Sequence, residues 1–225
     1  MQKTSSDPQA NDCRAAAKPS SDDRRAAKLA VAREAFLRDG FAAASMSEIA
    51  ATIGGSKATL YSYFPSKREL FAAVIERECR DRFAPVFAFE VGESQGDLGE
   101  VLRRFARRFL DLLLADDMIA FYRLIIAESA RFPEIGQATY QIGVQHGLNR
   151  LSEYFAAAMA RGALRPADPT VAARQFLELC SGELHRKRLY GIAVADVDAD
   201  ADRQTRNTVS TFLAAFGADD AGRGD

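Results

Sequence analysis

The sequence of 225 residues contains few of the residues that carry most catalytic and metal chemistry. The two histidines, His146 and His185, are far apart and have no cysteine or carboxylate at ligand spacing, so we expect no metal site. The three cysteines, Cys13, Cys79 and Cys180, share no redox spacing, and their odd number argues against a disulfide framework. A G-x-S-x-G elbow and a phosphate-binding loop are also missing. We therefore expect no cofactor and no enzymatic activity.

Long apolar runs are absent as well. No run reaches the roughly 18 residues of a membrane span, and residues 1–23 lack the hydrophobic centre of a signal peptide. We therefore expect a cytoplasmic protein that does not enter a membrane. Prolines (7) and glycines (15) are few, and alternation of β-branched residues is scarce, whereas good helix formers dominate. This composition predicts an all-α fold.

The net charge of −1 argues against a uniformly basic surface for nucleic acid. The charge is nevertheless uneven along the chain. Residues 1–80 carry 13 lysines and arginines against 10 acidic residues, and the remainder carries 17 against 21. The N-terminal part is thus slightly basic, which is a weak indication of an anionic partner.

Residues 45–69 contain three helix starts in a short span. Ser45 and Ser66 each precede a glutamate at capping-box spacing, and Ser56 can cap the helix between them. Gly54 and Gly55 separate the first two helices, and Pro65 ends the second after about two turns. The non-core surface of this short helix combines a cation, hydroxyl groups and phenols, which suit a phosphate backbone: Lys57, Thr59, Tyr61, Ser62 and Tyr63. An ordinary helical corner with a solvated polar face explains the spacing about equally well.

The segment ATLYSYFPSK, residues 58–67, resembles the DNA-binding domain of the TetR/AcrR family of bacterial transcription regulators. Upstream, Ala32, Phe36 and Gly40 with Phe41 fall where that family places its first helix and its end, and the match runs without a gap from about residue 24 to 74. Gly55 departs from the family, which usually has an apolar residue there, and this predicts a looser turn. The resemblance implies phosphate contacts from Ser45, Ser47, Thr59, Tyr63 and Lys67, and approach to base edges by Lys57, Ala58 and Tyr61.

The polar, glycine and proline segments and the apolar periodicity also indicate the organisation of the chain. We expect a disordered arm over residues 1–23, a three-helix helix-turn-helix domain over 24–70, a larger helical domain over 71–217 and a disordered tail over 218–225, with about nine helices in all. The first helix is predicted over residues 24–39 and the last over 201–216. Residues 123–135, RLIIAESARFPEI, resemble the AefR-like C-terminal domain found in the same family.

The C-terminal part has more aromatic residues than its helices need, although most will be core. The resemblance implies a small-molecule pocket among the middle helices, for which the best candidates are Phe83, Phe87, Phe109, Tyr122, Tyr140 and His146. It further implies a homodimer formed through the last two helices, with an interface drawn from Phe176, Leu177, Cys180, Leu184, Val209, Phe212, Leu213 and Phe216.

These observations predict a ligand-responsive, sequence-specific DNA-binding regulator. The expected form is a repressor that is released from a palindromic operator by a small, largely apolar effector, through a pivot of the helix that begins after Ser66. Two alternatives remain open at this point. One is a small-molecule-binding protein or enzyme that uses the aromatic pocket, and the other is a DNA-organising protein without sequence preference.

Overall fold

The computed structural model describes residues 20–54, 56–88 and 97–218. Within these ranges the chain is helical, and the only β-type pairing is a single bridge between Leu164 and Gly217. The helices are α1 Ser21–Ala43, α2 Met46–Ile53, α3 Lys57–Tyr63, α4 Lys67–Glu78, α5 Leu98–Leu114, α6 Asp116–Ser129, α7 Pro133–Thr139, α8 His146–Ala160, α9 Pro169–Leu189 and α10 Val197–Phe216. The all-α prediction is confirmed.

Two π-helical turns modify this order. Cys79–Phe83 prolongs α4, and Tyr140–Gln145 joins α7 and α8 into one continuous rod. Counted in this way, the described ranges contain nine helical rods, as the sequence predicted. None of their helices is both long enough and apolar enough to cross a membrane.

The first helix begins earlier than predicted. The Ser20 hydroxyl accepts a hydrogen bond from the Asp23 amide at 3.0 Å, and the Asp23 carboxylate accepts one from the Ser20 amide at 2.9 Å. This capping box starts α1 at Ser21, three residues before the start predicted at residue 24. Residues 1–19, Gly55 and the tail from residue 219 lie outside the described residues. Gly40, with φ of 76°, interrupts α1 as predicted before a last turn forms.

The three predicted helix starts in residues 45–69 are present. Ser45 accepts from the Ser47 amide, Ser56 from the Thr59 amide and Ser66 from the Glu69 amide. Gly54 ends α2 in the left-handed conformation, with φ of 75°. The short helices rest on a core shared by α1, α4 and α6, whose largest members are Leu29, Phe36, Phe41, Ile49, Leu60, Leu70, Phe71 and Phe121.

A second core joins α5, α8, α9 and α10, and it changes the prediction for the dimer interface. Six of the eight predicted contacts are at most 8% exposed in the single chain, because α5 and α8 pack against the apolar stripes of α9 and α10: Phe176, Cys180, Leu184, Val209, Phe212 and Phe216. Leu177 and Leu213 are partly buried at the edge of the same core. These six side chains lie in the interior of the single chain.

Helices α9 and α10 are also joined by hydrogen bonds. Gly182 interrupts α9 with φ of 47°, and the amide group of Gln204 on α10 fills the break. Its Nε2 donates to the carbonyls of Cys180 and Ser181, and its Oε1 accepts from the amide of Leu184. Helix α10 begins at Val197, four residues before the predicted start, because the Asp196 carboxylate caps the Ala199 amide at 2.9 Å.

Candidate functional site

Helix α3 presents almost all of its side chains to solvent. Leu60 is its one buried residue, while Tyr61 and Tyr63 are 38% and 41% exposed. A seven-residue helix is not stable alone, so the Ser56 cap and the core beneath Leu60 must hold it. The result is a short, braced helix with a cation and two phenols on its outer face.

Two cations from α1 adjoin the end of α3. The Lys28 ammonium lies 4.6 Å from the centre of the Tyr63 ring, and the Arg25 guanidinium lies 5.4 Å from that of Phe64. Such contacts fix aromatic rings in orientation and place positive charge beside them. Neither residue was among the predicted DNA contacts, although their spacing of three along a helix could have indicated a common face.

The predicted phosphate-contacting residues differ in their surroundings. Ser47, Thr59 and Tyr63 are exposed, and Ser45 is half-buried as the cap of α2. The Lys67 ammonium donates to the carbonyls of Ala42 and Ala44 at 2.9 and 3.1 Å, and burial lowers its pKa. Two of its three protons therefore stabilise the turn between α1 and α2, which leaves one for a phosphate oxygen. The base-edge candidates Lys57, Ala58 and Tyr61 are all exposed.

A cavity of about 230 Å³ lies behind this surface, among α4, α5, α6, α9 and both π-helical turns. Four of the predicted pocket residues line it: Phe83, Phe87, Phe109 and Tyr122. Tyr140 and His146 do not, since Tyr140 is 53% exposed and His146 also faces solvent. The π-helical turn is wider than an α-helical one and changes which side chains face inward, so that Gly143, Val144 and Gly147 line the cavity instead.

Three polar side chains of the cavity, Tyr122, Cys79 and His185, are uncharged near neutral pH, and two carboxyl side chains, Glu78 and Glu178, also line it. Burial raises the pKa of Tyr122 to about 12 and, together with Glu78 and Glu76, raises the pKa of Cys79 to about 11. Burial, and then the neighbouring Arg186, lower the pKa of His185. Apart from these two carboxyl groups the lining is mostly apolar, so the cavity suits a molecule that is largely apolar.

His185 is the histidine of the cavity, where the sequence pointed to His146. Its ring meets the Tyr122 ring edge-on with centres 5.4 Å apart, and its Nε2 is buried without a hydrogen-bond partner among the described residues. In the sequence, His185 stands at the start of the basic run HRKR, residues 185–188. Only the packing of α9 against α6 distinguishes His185 from its charged neighbours.

A larger groove of about 660 Å³ lies between α1, α2 and the end of α4. Its lining is dominated by charged side chains, including Arg33, which pairs with Glu78 at 2.9 Å and with Asp117 at 3.0 Å. These charged side chains make the open groove a poor site for an apolar molecule. The groove runs from the helix-turn-helix to Asp117 at the start of α6.

Comparison with known proteins finds family matches in both the N-terminal and the C-terminal part of the chain. Residues 29–74 match the family described as bacterial regulatory proteins, tetR family, and residues 100–218 match the AefR-like transcriptional repressor, C-terminal domain. Among solved structures, the flavonoid-responsive regulator FrrA is 34% identical over 87% of this chain and 98% of its own, with a TM-score of 0.75. A TetR-family transcriptional regulator from Mesorhizobium loti MAFF303099 is 26% identical over 86% of this chain and 96% of its own, with a TM-score of 0.76.

Two curated relatives from Mycolicibacterium smegmatis match over shorter segments. The transcriptional activator FasR is 36% identical over 104 residues, which are 46% of each protein. The transcriptional regulator EthR is 41% identical over 63 residues, which are 28% of this chain and 29% of EthR. The chain thus aligns with less than half the length of these curated relatives. All four relatives are regulators and not enzymes, and the chain belongs to the TetR family of bacterial regulatory proteins.

Proposed function

We propose that the protein is a sequence-specific DNA-binding transcription regulator that inserts α3 into the major groove. The observation that carries this proposal is the outer face of α3, a braced helix too short to exist alone that exposes Lys57, Tyr61 and Tyr63. FasR, EthR and FrrA, to which the chain is similar, are named as regulators, and this supports the proposal. Such a regulator acts in the cytoplasm, where bacterial DNA lies.

The proposed contacts divide into two groups. Lys57, Ala58 and Tyr61 approach base edges, where a lysine can reach guanine acceptors and an alanine leaves room for a thymine methyl group. Phosphate contacts come from Ser45, Ser47, Thr59, Tyr63 and Lys67, and we add Arg25 and Lys28 because they adjoin the end of α3. The domain bounds of 24–70 and 71–217 remain a prediction.

A homodimer would form across the groove between α9 and α10, which has a volume of about 300 Å³. Among the lining residues of this groove are Leu179, Glu183, Lys187, Asn207 and Thr211. Two-fold symmetry would place two α3 helices in successive major grooves of a palindromic operator, roughly 34 Å apart.

We expect Thr211→Arg to yield monomers in light scattering. The exposed α8 substitution Ala157→Arg should leave the dimer intact.

The proposed effector is a small, largely apolar molecule that occupies the 230 Å³ cavity. FrrA is flavonoid-responsive, so flavonoids are the first compounds to test. The AefR-like repressor family of the C-terminal part supports repression that the effector relieves. FasR is an activator, and a reporter gene placed behind the operator distinguishes the two signs of control.

The decisive experiment is fluorescence anisotropy at physiological salt, using DNA from the region upstream of the protein's own gene and unlabelled scrambled competitor. A sequence-specific regulator should prefer its operator by about a thousandfold or more. Equal binding to both DNAs would indicate a DNA-organising protein. Binding to neither DNA, here or across a genomic fragment library, would indicate a protein that uses the cavity alone.

A further inference from the structure

Helix α6 connects the cavity directly with the helix-turn-helix. Four of its residues, Met118, Phe121, Tyr122 and Ile125, line the cavity. One turn further along the same helix lies Glu128, whose carboxylate contacts α1. A displacement of α6 at the cavity is therefore also a displacement of Glu128.

The carboxylate of Glu128 binds the backbone where α1 resumes after its break. Its Oε1 accepts from the amide of Phe41 at 3.1 Å and, more weakly, from that of Ala42 at 3.5 Å. Its Oε2 is buried and has no hydrogen-bond partner among the described residues. A Cβ atom on Gly40 would lie only 3.1 Å from Oε1, so glycine both makes the break and allows this close approach.

The contact is charge-assisted, and a cation binds the carbonyls of the same segment. Amides at the start of a helical turn favour an anion, and hydrogen bonds to a carboxylate are roughly twice as strong as neutral ones. The Lys67 ammonium of α4 donates to Ala42 and Ala44, and Glu128 is close enough to attract it. Residues 41–44 are thus held between a carboxylate from α6 and an ammonium from α4.

We propose that Glu128 is a positioning residue that transmits occupancy of the cavity to the helix-turn-helix, a role that rests on the proposed effector binding. When the cavity fills, α6 moves and draws the carboxylate away from the amides of Phe41 and Ala42. The segment 41–44 then loosens, and α2 with α3 loses its fixed orientation on α1. The signal passes through α6, in addition to the helix α4 that the sequence suggested.

One other link between the two parts of the chain is a weaker candidate. The pair Arg68–Glu134, between α4 and α7, is 3.4 Å long and both side chains are well exposed. Exposed ion pairs of this kind contribute little, because solvent screens them. Glu134 therefore supplies a matched control: a carboxylate at the same boundary, removed in the same way.

The test uses a substitution in place of the unidentified effector. Leu177 lines the cavity from α9, and Leu177→Trp enlarges a side chain within it. Hydrogen exchange measured by mass spectrometry on the peptide spanning residues 36–46 reports the amides of Phe41 and Ala42. A double-mutant cycle is formed by the unsubstituted protein, the single variants Leu177→Trp and Glu128→Ala, and the double variant. Leu177→Phe, a smaller enlargement, gives the same comparison if the tryptophan variant does not fold.

We expect Leu177→Trp to accelerate exchange in this peptide by about tenfold, within the usual range of coupling between sites. In the Glu128→Ala background, exchange should already be fast, and the cavity substitution should change it by less than about twofold. Glu128→Gln keeps an acceptor and should restore part of the response, whereas Glu134→Ala should retain all of it. A merely structural role for Glu128 would give additive effects and no such loss of response.

Two results would overturn the proposal. In the first, neither Leu177 variant changes the exchange rate of residues 36–46. In the second, the Leu177 substitution changes this rate equally in the presence and in the absence of the Glu128 carboxylate. Failure of the proposed function is a separate outcome of the anisotropy experiment. A protein with no operator preference could still show the non-additive exchange, which would make α6 a coupling element of some other activity.

Discussion

Replacing Gly147 by alanine tests how the cavity wall is built. A Cβ atom at this position would lie 2.7, 3.0 and 3.1 Å from the three carbons at the far end of the Phe87 ring. Favourable contacts between carbon atoms are about 3.5 to 4.0 Å long. The ring is restrained because Phe105 and Phe109 pack against it edge-on, with centres 5.3 and 5.7 Å away. The added methyl group can only push Phe87 into the cavity that both residues line.

The magnitudes decide the sign of the effect. Alanine stabilises a helix interior by about 1 kcal/mol relative to glycine, whereas overpacking a well-packed site costs about 1 to 3 kcal/mol. We therefore expect Gly147→Ala to lower the free energy of unfolding by up to about 2 kcal/mol. Leucine at position 87 lacks all three overlapping carbons. In the Phe87→Leu background, the same glycine substitution should raise stability by about 1 kcal/mol.

The assay is urea unfolding of the four proteins at one protein concentration, since dimerisation would otherwise contribute to stability. The change of sign between the two backgrounds is the expected signature, and a non-additive term of about 1 to 3 kcal/mol should appear in the cycle. Equal destabilisation by Gly147→Ala in both backgrounds would refute the contact with Phe87. Flavone, titrated into each variant, should bind more weakly when the ring is displaced.

Three further predictions concern the rest of the molecule. Gln204→Ala leaves the carbonyls of Cys180 and Ser181 and the Leu184 amide unpaired, so unfolding by urea should show a loss on the order of 3 kcal/mol; a loss below about 0.5 kcal/mol would contradict this role. Lys57→Ala should weaken operator binding by about 1 to 3 kcal/mol, whereas Lys67→Ala should weaken all sequences alike and reduce the salt slope by about 1; identical losses in anisotropy would remove the division between base and phosphate contacts. Burial, and then Arg186, lower the pKa of His185, so the unfolded chain takes up a proton near pH 6.5 that the folded chain resists. Stability should therefore fall as the pH drops from 7.5 to 5.5, and less steeply in His185→Phe.

Local signals in the sequence predicted much of the helix-turn-helix. A serine hydroxyl that accepts a hydrogen bond from an amide two or three residues later can cap a helix, and Ser45, Ser56 and Ser66 mark three observed starts in this way. Gly40 and Gly54 mark breaks because both adopt positive φ, which other residues avoid. The exposed face of α3 followed from the same information, since its single apolar position fixes the side that is buried.

The cavity and the burial of the apolar stripes of α9 and α10 depended on tertiary packing. The periodicity of α9 and α10 shows which residues are apolar, but α5 and α8 decide that these residues face the interior of the chain. Nothing local distinguishes His185, inside the cavity, from His146, which faces solvent after the π-helical turn. The contact of Glu128 with Phe41 spans 87 residues of sequence. The sequence by itself determined where helices begin, because caps and glycines act within one turn of the backbone. The tertiary structure alone decided which faces meet, because burial depends on partners that are distant along the chain.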